Sequence, residues 1–173
     1  MQEHFRSMGE KIVEELNKTS ELCRKQKVPV IFTQHGYKKV KVDGGVLAEW
    51  WDSASRKELE YGADDWKIMS ELTQNRSEDF FLTEKRRYDA FHGTLLEDML
   101  RRLKVDTVVI AGVMTNLCCE TTARSAFVRD FNVLFLSDGT ATCDTEMHKA
   151  SLLNIGFGFG KVLTCKEFRN LIL

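Results

Sequence analysis

Short apolar runs alternate with longer amphipathic stretches along this chain. Thr107 to Ala111 (TVVIA) is apolar and β-branched without polar alternation, and Asn132 to Leu136 reads in the same way. A strand covered on both faces of a parallel sheet has this pattern. Val28 to Thr33, Asp79 to Thr83 and Val162 to Thr164 are further strand candidates, with Pro29 near the start of its run, where a missing donor is tolerated. Between them the apolar positions fall at helical spacing. Ile12, Val13, Leu16, Leu22 and Cys23 mark a helix over Met8 to Lys25, and Leu96, Met99, Leu100 and Leu103 mark one over Leu95 to Leu103. Further helices are predicted from Asn116 to about Arg129, over Thr145 to Leu153 with Asp144 or Thr145 as cap, and over Lys166 to Leu173. Strands alternating with helices predict a three-layer α/β/α domain, with a mostly parallel sheet between two layers of helices.

One stretch resists this reading. Gln34 to Ser70 shows no obvious regular element, yet it holds Trp50, Trp51, Tyr61 and Trp66. Long loops after parallel strands commonly build binding sites. Its aromatics fit a lid or an oligomer contact equally well, and Trp50 suits either a planar-ligand wall or such a contact. His35 directly follows a strand, at the carboxyl edge where α/β ligands bind.

With 173 residues the chain is expected to form one domain, residues 1–173, with a substantial core. A net charge of −1 gives no electrostatic case for nucleic acid. The five cysteines form neither a CxxC pair nor a zinc-like spacing. With no signal peptide and no apolar run near 18 residues, no membrane span is expected, and the protein reads as soluble, reduced and cytoplasmic.

The chemistry centres on Cys118 and Cys119, at the first turn of the helix that follows the TVVIA strand. A helix N-terminus presents unpaired N–H groups that favour a thiolate and can bind an oxyanion, so one turn can supply a nucleophile and its stabilising donors. Small cysteines also pack well beneath sheets, and spacing alone leaves both readings open.

The blocks KRRYDAF (from Lys85), GVMTNLCCETTARSAF (from Gly112) and LSDGTAT (from Leu136), with HKASLL at His148 and GVLAEWW at Gly45, resemble the isochorismatase-like cysteine hydrolases, and within them the plant-type nicotinamidases. The resemblance covers most of the chain and implies a sheet of about six strands. It implies Cys118 as nucleophile and Lys85 as second catalytic residue. It also implies a cis Val113–Met114 bond and an oxyanion hole from the amides of Met114 and Cys118. Lys85 would steady the thiolate and the tetrahedral intermediate; Arg86 and Arg87 show that charge alone does not single it out.

His35, Trp50, Tyr88, Phe91 and Val113 are the expected substrate contacts. Many nicotinamidases hold a metal with an Asp-x-His pair, but Gln34, His35, Gly36 and Tyr37 do not reproduce it, so neither metal nor cofactor is expected. MQEHFRSM resembles the end of the family's first strand, where an aspartate, the general base, immediately precedes the Met-Gln pair. Here that pair is Met1 and Gln2, so the strand and its aspartate are expected to lie outside these 173 residues or to be supplied otherwise.

The expected activity is release of ammonia from a small amide, nicotinamide first, through a Cys118 thioester. Two alternatives stand beside it. Isochorismatase-type vinyl-ether hydrolysis is one, and enzymes of that type typically lack the cysteine. A non-catalytic, oligomeric binding protein without the general base is the other. A homo-oligomer is expected, with Trp51, Phe127 and the segment Phe157 to Gly160 as apolar contacts.

Overall fold

The computed structural model describes residues 1–51 and 55–173. Among the described residues, five parallel strands alternate with helices, in the order α1 (Val13–Lys25), β1 (Ile31–His35), α2 (Gly45–Trp50), β2 (Phe80–Lys85), α3 (Leu96–Arg102), β3 (Thr107–Val113), α4 (Glu120–Phe127), β4 (Asn132–Ala141), α5 (Thr145–Gly158), β5 (Lys161–Leu163) and α6 (Cys165–Leu171). The strands form two ladders. β1 pairs with β2, and β3 pairs with β4, which pairs with β5.

Side-chain alternation along the strands builds the two sides of the core. Val133 and Phe135 of β4 pack on one face with Leu96 and Leu100 of α3, Ala123 and Ala126 of α4, and Ile155 of α5. Leu134 and Leu136 turn to the other face, against Cys23 of α1 and Cys165 and Phe168 of α6. β3 divides likewise, with Val108 and Ile110 on the first face and Val109 on the second. This is the expected three-layer α/β architecture.

Two local signals hold the helix starts. Asp144 accepts the Met147 N–H and caps α5, and Thr164 with Glu167 makes a capping box on α6. The expected helix over Met8 to Lys25 is interrupted: a turn at Arg6–Gly9 and a 3-10 turn at Glu10–Ile12 precede α1. Gln34 to Ser70 is also more regular than expected, with helical turns at Val40–Asp43, in α2 and at Ser55–Leu59. Tyr37, Val40, Ala48 and Leu59 form a small core of their own there.

The second ladder is longer than its apolar run. β4 continues through Ser137 to Ala141, because the register slips after Ile110 and Gly112 and Val113 then pair with Thr140 and Ala141. Asp138, in this irregular part, accepts the Cys165 N–H at 2.6 Å. Asp138 therefore holds the first N–H of α6.

α1 is tied to the approach to β2 by a buried ion pair. Arg24 Nε and Nη2 each donate to an Asp79 carboxylate oxygen at 2.8 Å, and the Asn75 N–H donates to the same carboxylate at 2.7 Å. The Asp79 side chain is only 1% exposed. An Asp79→Ala change strands the Arg24 guanidinium without its partner. It is expected to lower stability by about 3 kcal/mol, measured as a reduced urea midpoint.

Candidate active site

Three strand tips meet at one cavity of about 330 Å³, lined by His35 from β1, Lys85 from β2, and Val113 and Cys118 from β3 and the turn after it. Their convergence follows from the topology, since every strand runs in the same direction and ends at the same edge.

Lys85 is 3% exposed, and its Nζ donates to Cys118 Sγ at 3.3 Å. The two residues lie 33 positions apart in the chain. Cys118 sits in a π-helical turn, Thr115–Cys119, that leads into α4. In that turn the Met114 carbonyl accepts both the Leu117 and Cys119 N–H groups, at 3.2 and 3.1 Å. The Val113–Met114 peptide bond is cis, as the resemblance implied. π turns inside helices frequently stand at functional sites.

The adjacent cysteines have separate environments. Cys119 is 4% exposed, packs in the α3–α4 core and directs its thiol to the Ala111 carbonyl at 3.8 Å. Burial pushes its pKa far up, so it stays a thiol. Cys118 is half-buried and lines the cavity.

The α-amino group of Met1 also faces Cys118, Cys119 and Lys85. Burial lowers its pKa from the ordinary 8.0 to about 6, against the raising influence of Cys119 and Cys118.

His35 is buried, and its Nε2 lies 2.8 Å from the Tyr37 hydroxyl, with the two rings edge to face. Gln2 clamps the His35 backbone from both sides, accepting its N–H at 2.7 Å and donating to its carbonyl at 2.8 Å. Neither Tyr37 nor Gln2 was among the expected site residues. The signal for Tyr37 was its position two residues beyond His35, on the same side of an extended chain.

Phe91 and Val113 line the cavity, and Phe91 also packs on Phe131 with ring centroids 5.9 Å apart. The Tyr88–Phe91 turn is held by Asp89, which accepts the Phe91 N–H at 2.8 Å and the Ser125 hydroxyl at 2.7 Å. Tyr88 accepts a hydrogen bond from the Trp51 indole N–H. Met114 lies one residue beyond the lining formed by Val113.

Trp50 is not brought to the cavity. α2 buries Ala48, which turns Trp50, two residues further on, to the opposite side, where it is 78% exposed. Trp50→Ala is accordingly expected to change kcat/KM for a small planar amide by less than about threefold, measured by steady-state kinetics.

His148 reaches the π turn from α5. Its Nδ1 is 2.9 Å from the hydroxyl of the fully buried Thr115, bracing the turn. Burial lowers the His148 pKa, favouring the neutral ring.

No carboxylate lines the Cys118 cavity among the described residues. His4, Glu58 and Asp65, whose possible ligand atoms all lie within 4.8 Å of one another, make the three-residue metal-ligand-type group found among the described residues. They lie outside that cavity.

A parallel α/β domain that brings a buried lysine and a turn-borne cysteine together at its carboxyl edge defines a class. The chain belongs to the isochorismatase family, whose isochorismatase domain matches residues 1–167. It is 40% identical to nicotinamidase 3 of Arabidopsis thaliana over 173 residues, all of this chain and 85% of that protein. It is 28% identical to a ureidoacrylate amidohydrolase of Caulobacter vibrioides, covering 92% of this chain and 76% of the relative. The crystal structure of a cysteine hydrolase from Pseudomonas syringae pv. phaseolicola superposes with a TM-score of 0.88 at 28% identity, covering 95% of this chain and 81% of the other. Among the described residues no helix is long and apolar enough to cross a membrane.

Proposed function

We propose that the protein is a cysteine-dependent amidohydrolase that releases ammonia from a small amide, with nicotinamide as the favoured substrate. The observation that carries this reading is the 3.3 Å contact of Lys85 Nζ with Cys118 Sγ on the wall of the cavity. The contact sets a positive charge beside the sulfur that would attack a bound carbonyl.

In this reading Cys118 Sγ attacks the amide carbon, and the carbonyl oxygen becomes an oxyanion received by the N–H groups of Met114 and Cys118. The C–N bond breaks, the nitrogen leaves as ammonia after gaining a proton, and a thioester remains on Cys118. Water then attacks the thioester, giving the carboxylic acid and the free thiol. The proton acceptor implied by the family resemblance is a carboxylate in the position just ahead of Met1, whose backbone nitrogen faces Cys118 and Lys85.

The 40% identity to a nicotinamidase supports the choice of nicotinamide, and the amidohydrolase and cysteine-hydrolase relatives support C–N hydrolysis more broadly. Cys118 argues against vinyl-ether chemistry, which needs no thioester. A second reading, a binding protein without turnover, is favoured by the absence of a carboxylate from the cavity lining among the described residues. Ammonia release from nicotinamide, followed with and without the Cys118 thiol, tests both. Turnover that requires the thiol supports the amidohydrolase, and nicotinamide binding without turnover supports the binder.

A further inference from the structure

The element that carries Cys118 is short. Thr115–Cys119 is a single π turn, and the Met114 carbonyl serves two of its N–H groups at once. A lone turn lacks the run of cooperative bonds that stiffens a long helix. Its tilt over the cavity is therefore set by what its side chains hold.

Those side chains hold α5. The Thr115 hydroxyl meets His148 Nδ1 at 2.9 Å. Asn116 Nδ2 donates to Met147 Sδ at 3.4 Å, and its Oδ1 accepts the Thr142 hydroxyl, just ahead of α5, at 2.8 Å. One residue past the turn, Glu120 accepts the Ser151 hydroxyl. Cys118 instead lines the cavity, where Lys85 reaches it from β2.

The His148 contact is the deep one in this set. Thr115 is fully buried, whereas Met147 is half exposed. The imidazole also hydrogen-bonds the Ser137 backbone on β4. It is thus fixed by α5 and β4 together, and it grips the first residue of the turn. A buried polar pair of this kind adds little net stability over an apolar pair of the same shape. What it adds is a fixed distance and direction. Direction matters because Lys85 and Cys118 stand on different ladders. A tilt of the turn on its own ladder lengthens the 3.3 Å contact between Nζ and Sγ.

We infer that His148 is a positioning residue for the nucleophile: through Thr115 it holds the π turn at the tilt that keeps Cys118 Sγ against Lys85 Nζ. His148 is not among the residues that line the cavity, so it acts on the sulfur only through the turn. This role rests on Cys118 being the reactive thiol of the proposed function. It depends on neither the identity of the substrate nor turnover.

The test therefore reads the thiol itself. Iodoacetamide at neutral pH alkylates Cys118, and peptide mapping separates it from the exposed Cys143. His148→Leu keeps bulk without hydrogen bonding and is expected to slow Cys118 alkylation by about tenfold. His148→Asn carries an amide that can donate or accept near the Nδ1 position, and it is expected to stay within about twofold of the parent. Lys85→Met is expected to slow alkylation at least as much as His148→Leu. Combining the two slows it no further, because both remove the same contact.

Unchanged alkylation in His148→Leu overturns the assignment. So does a His148→Leu effect as large without Lys85 as with it, or a His148→Asn protein as slow as His148→Leu. Thermal melting shows which variants are folded. If His148→Leu is not, Thr115→Val removes the other half of the contact at nearly the same shape and is held to the same expectations. Alkylation is read whether or not nicotinamide is turned over, so a failure of the amidase reading and a failure of this role are told apart.

Discussion

Replacing Cys118 with serine is expected to reduce ammonia release from nicotinamide by about 10⁴-fold or more while leaving the fold in place. Cys118 is half-buried at the cavity wall, and a hydroxyl in place of its thiol changes the volume little. An alcohol is far less acidic than a thiol, and the ammonium of Lys85 at 3.3 Å offers stabilisation of an anion but no acceptor for a hydroxyl proton. The measurement is steady-state ammonia release, with thermal melting to show that the variant is folded. Rapid quenching with mass spectrometry is expected to trap an acyl adduct on the parent protein and none on the variant. Full activity in the serine variant would end the thioester reading.

Lys85→Met is expected to lower kcat by about 10²–10³-fold with KM changed much less, the pattern of a group that acts on the transition state. Methionine keeps most of the length and volume of lysine, so the 3% exposed site remains filled. The ammonium alone is lost, with its hydrogen bond to Cys118 Sγ. The arginines that follow in the chain do not take its place. Arg86 Nε donates to Asp43, and Arg87 Nη1 donates to the Asp43 and Arg86 carbonyls. A Lys85→Met protein with unchanged kcat would remove the lysine from the mechanism.

The layered architecture was readable because the strands carry apolar runs that no exposed segment could sustain. Val108, Val109 and Ile110 are such a run, and they divide between the two faces as the period of a strand requires. The meeting of Lys85 with Cys118 was readable only through family resemblance. Nothing local in KRRYDAF distinguishes a lysine that turns inward from two arginines that bind Asp43. Trp50 went the other way: its outward direction was decided by the burial of Ala48 on the inner side of α2, a packing choice that the local sequence does not encode. β4 outran its hydrophobic signal for a similar reason. Ser137 to Ala141 lacks a strand's composition and is held extended by pairing with Gly112 and Val113, which is a tertiary constraint.

All pairing in this sheet is parallel, and that has a consequence for how the molecule assembles. Ile31 meets Phe80, Thr107 meets Asn132, and Leu134 meets Lys161, so each ladder must close a long stretch of chain before its first hydrogen bond forms. The entropy of those closures is spent early and recovered late, placing the protein among domains of high contact order that fold in milliseconds to seconds. The site inherits this timing. His35, Lys85 and Cys118 come from three different strand tips, so they are brought together only when both ladders have formed. Nascent chains therefore expose unpaired apolar strands well before any thiol is positioned, and that interval is when aggregation competes with folding.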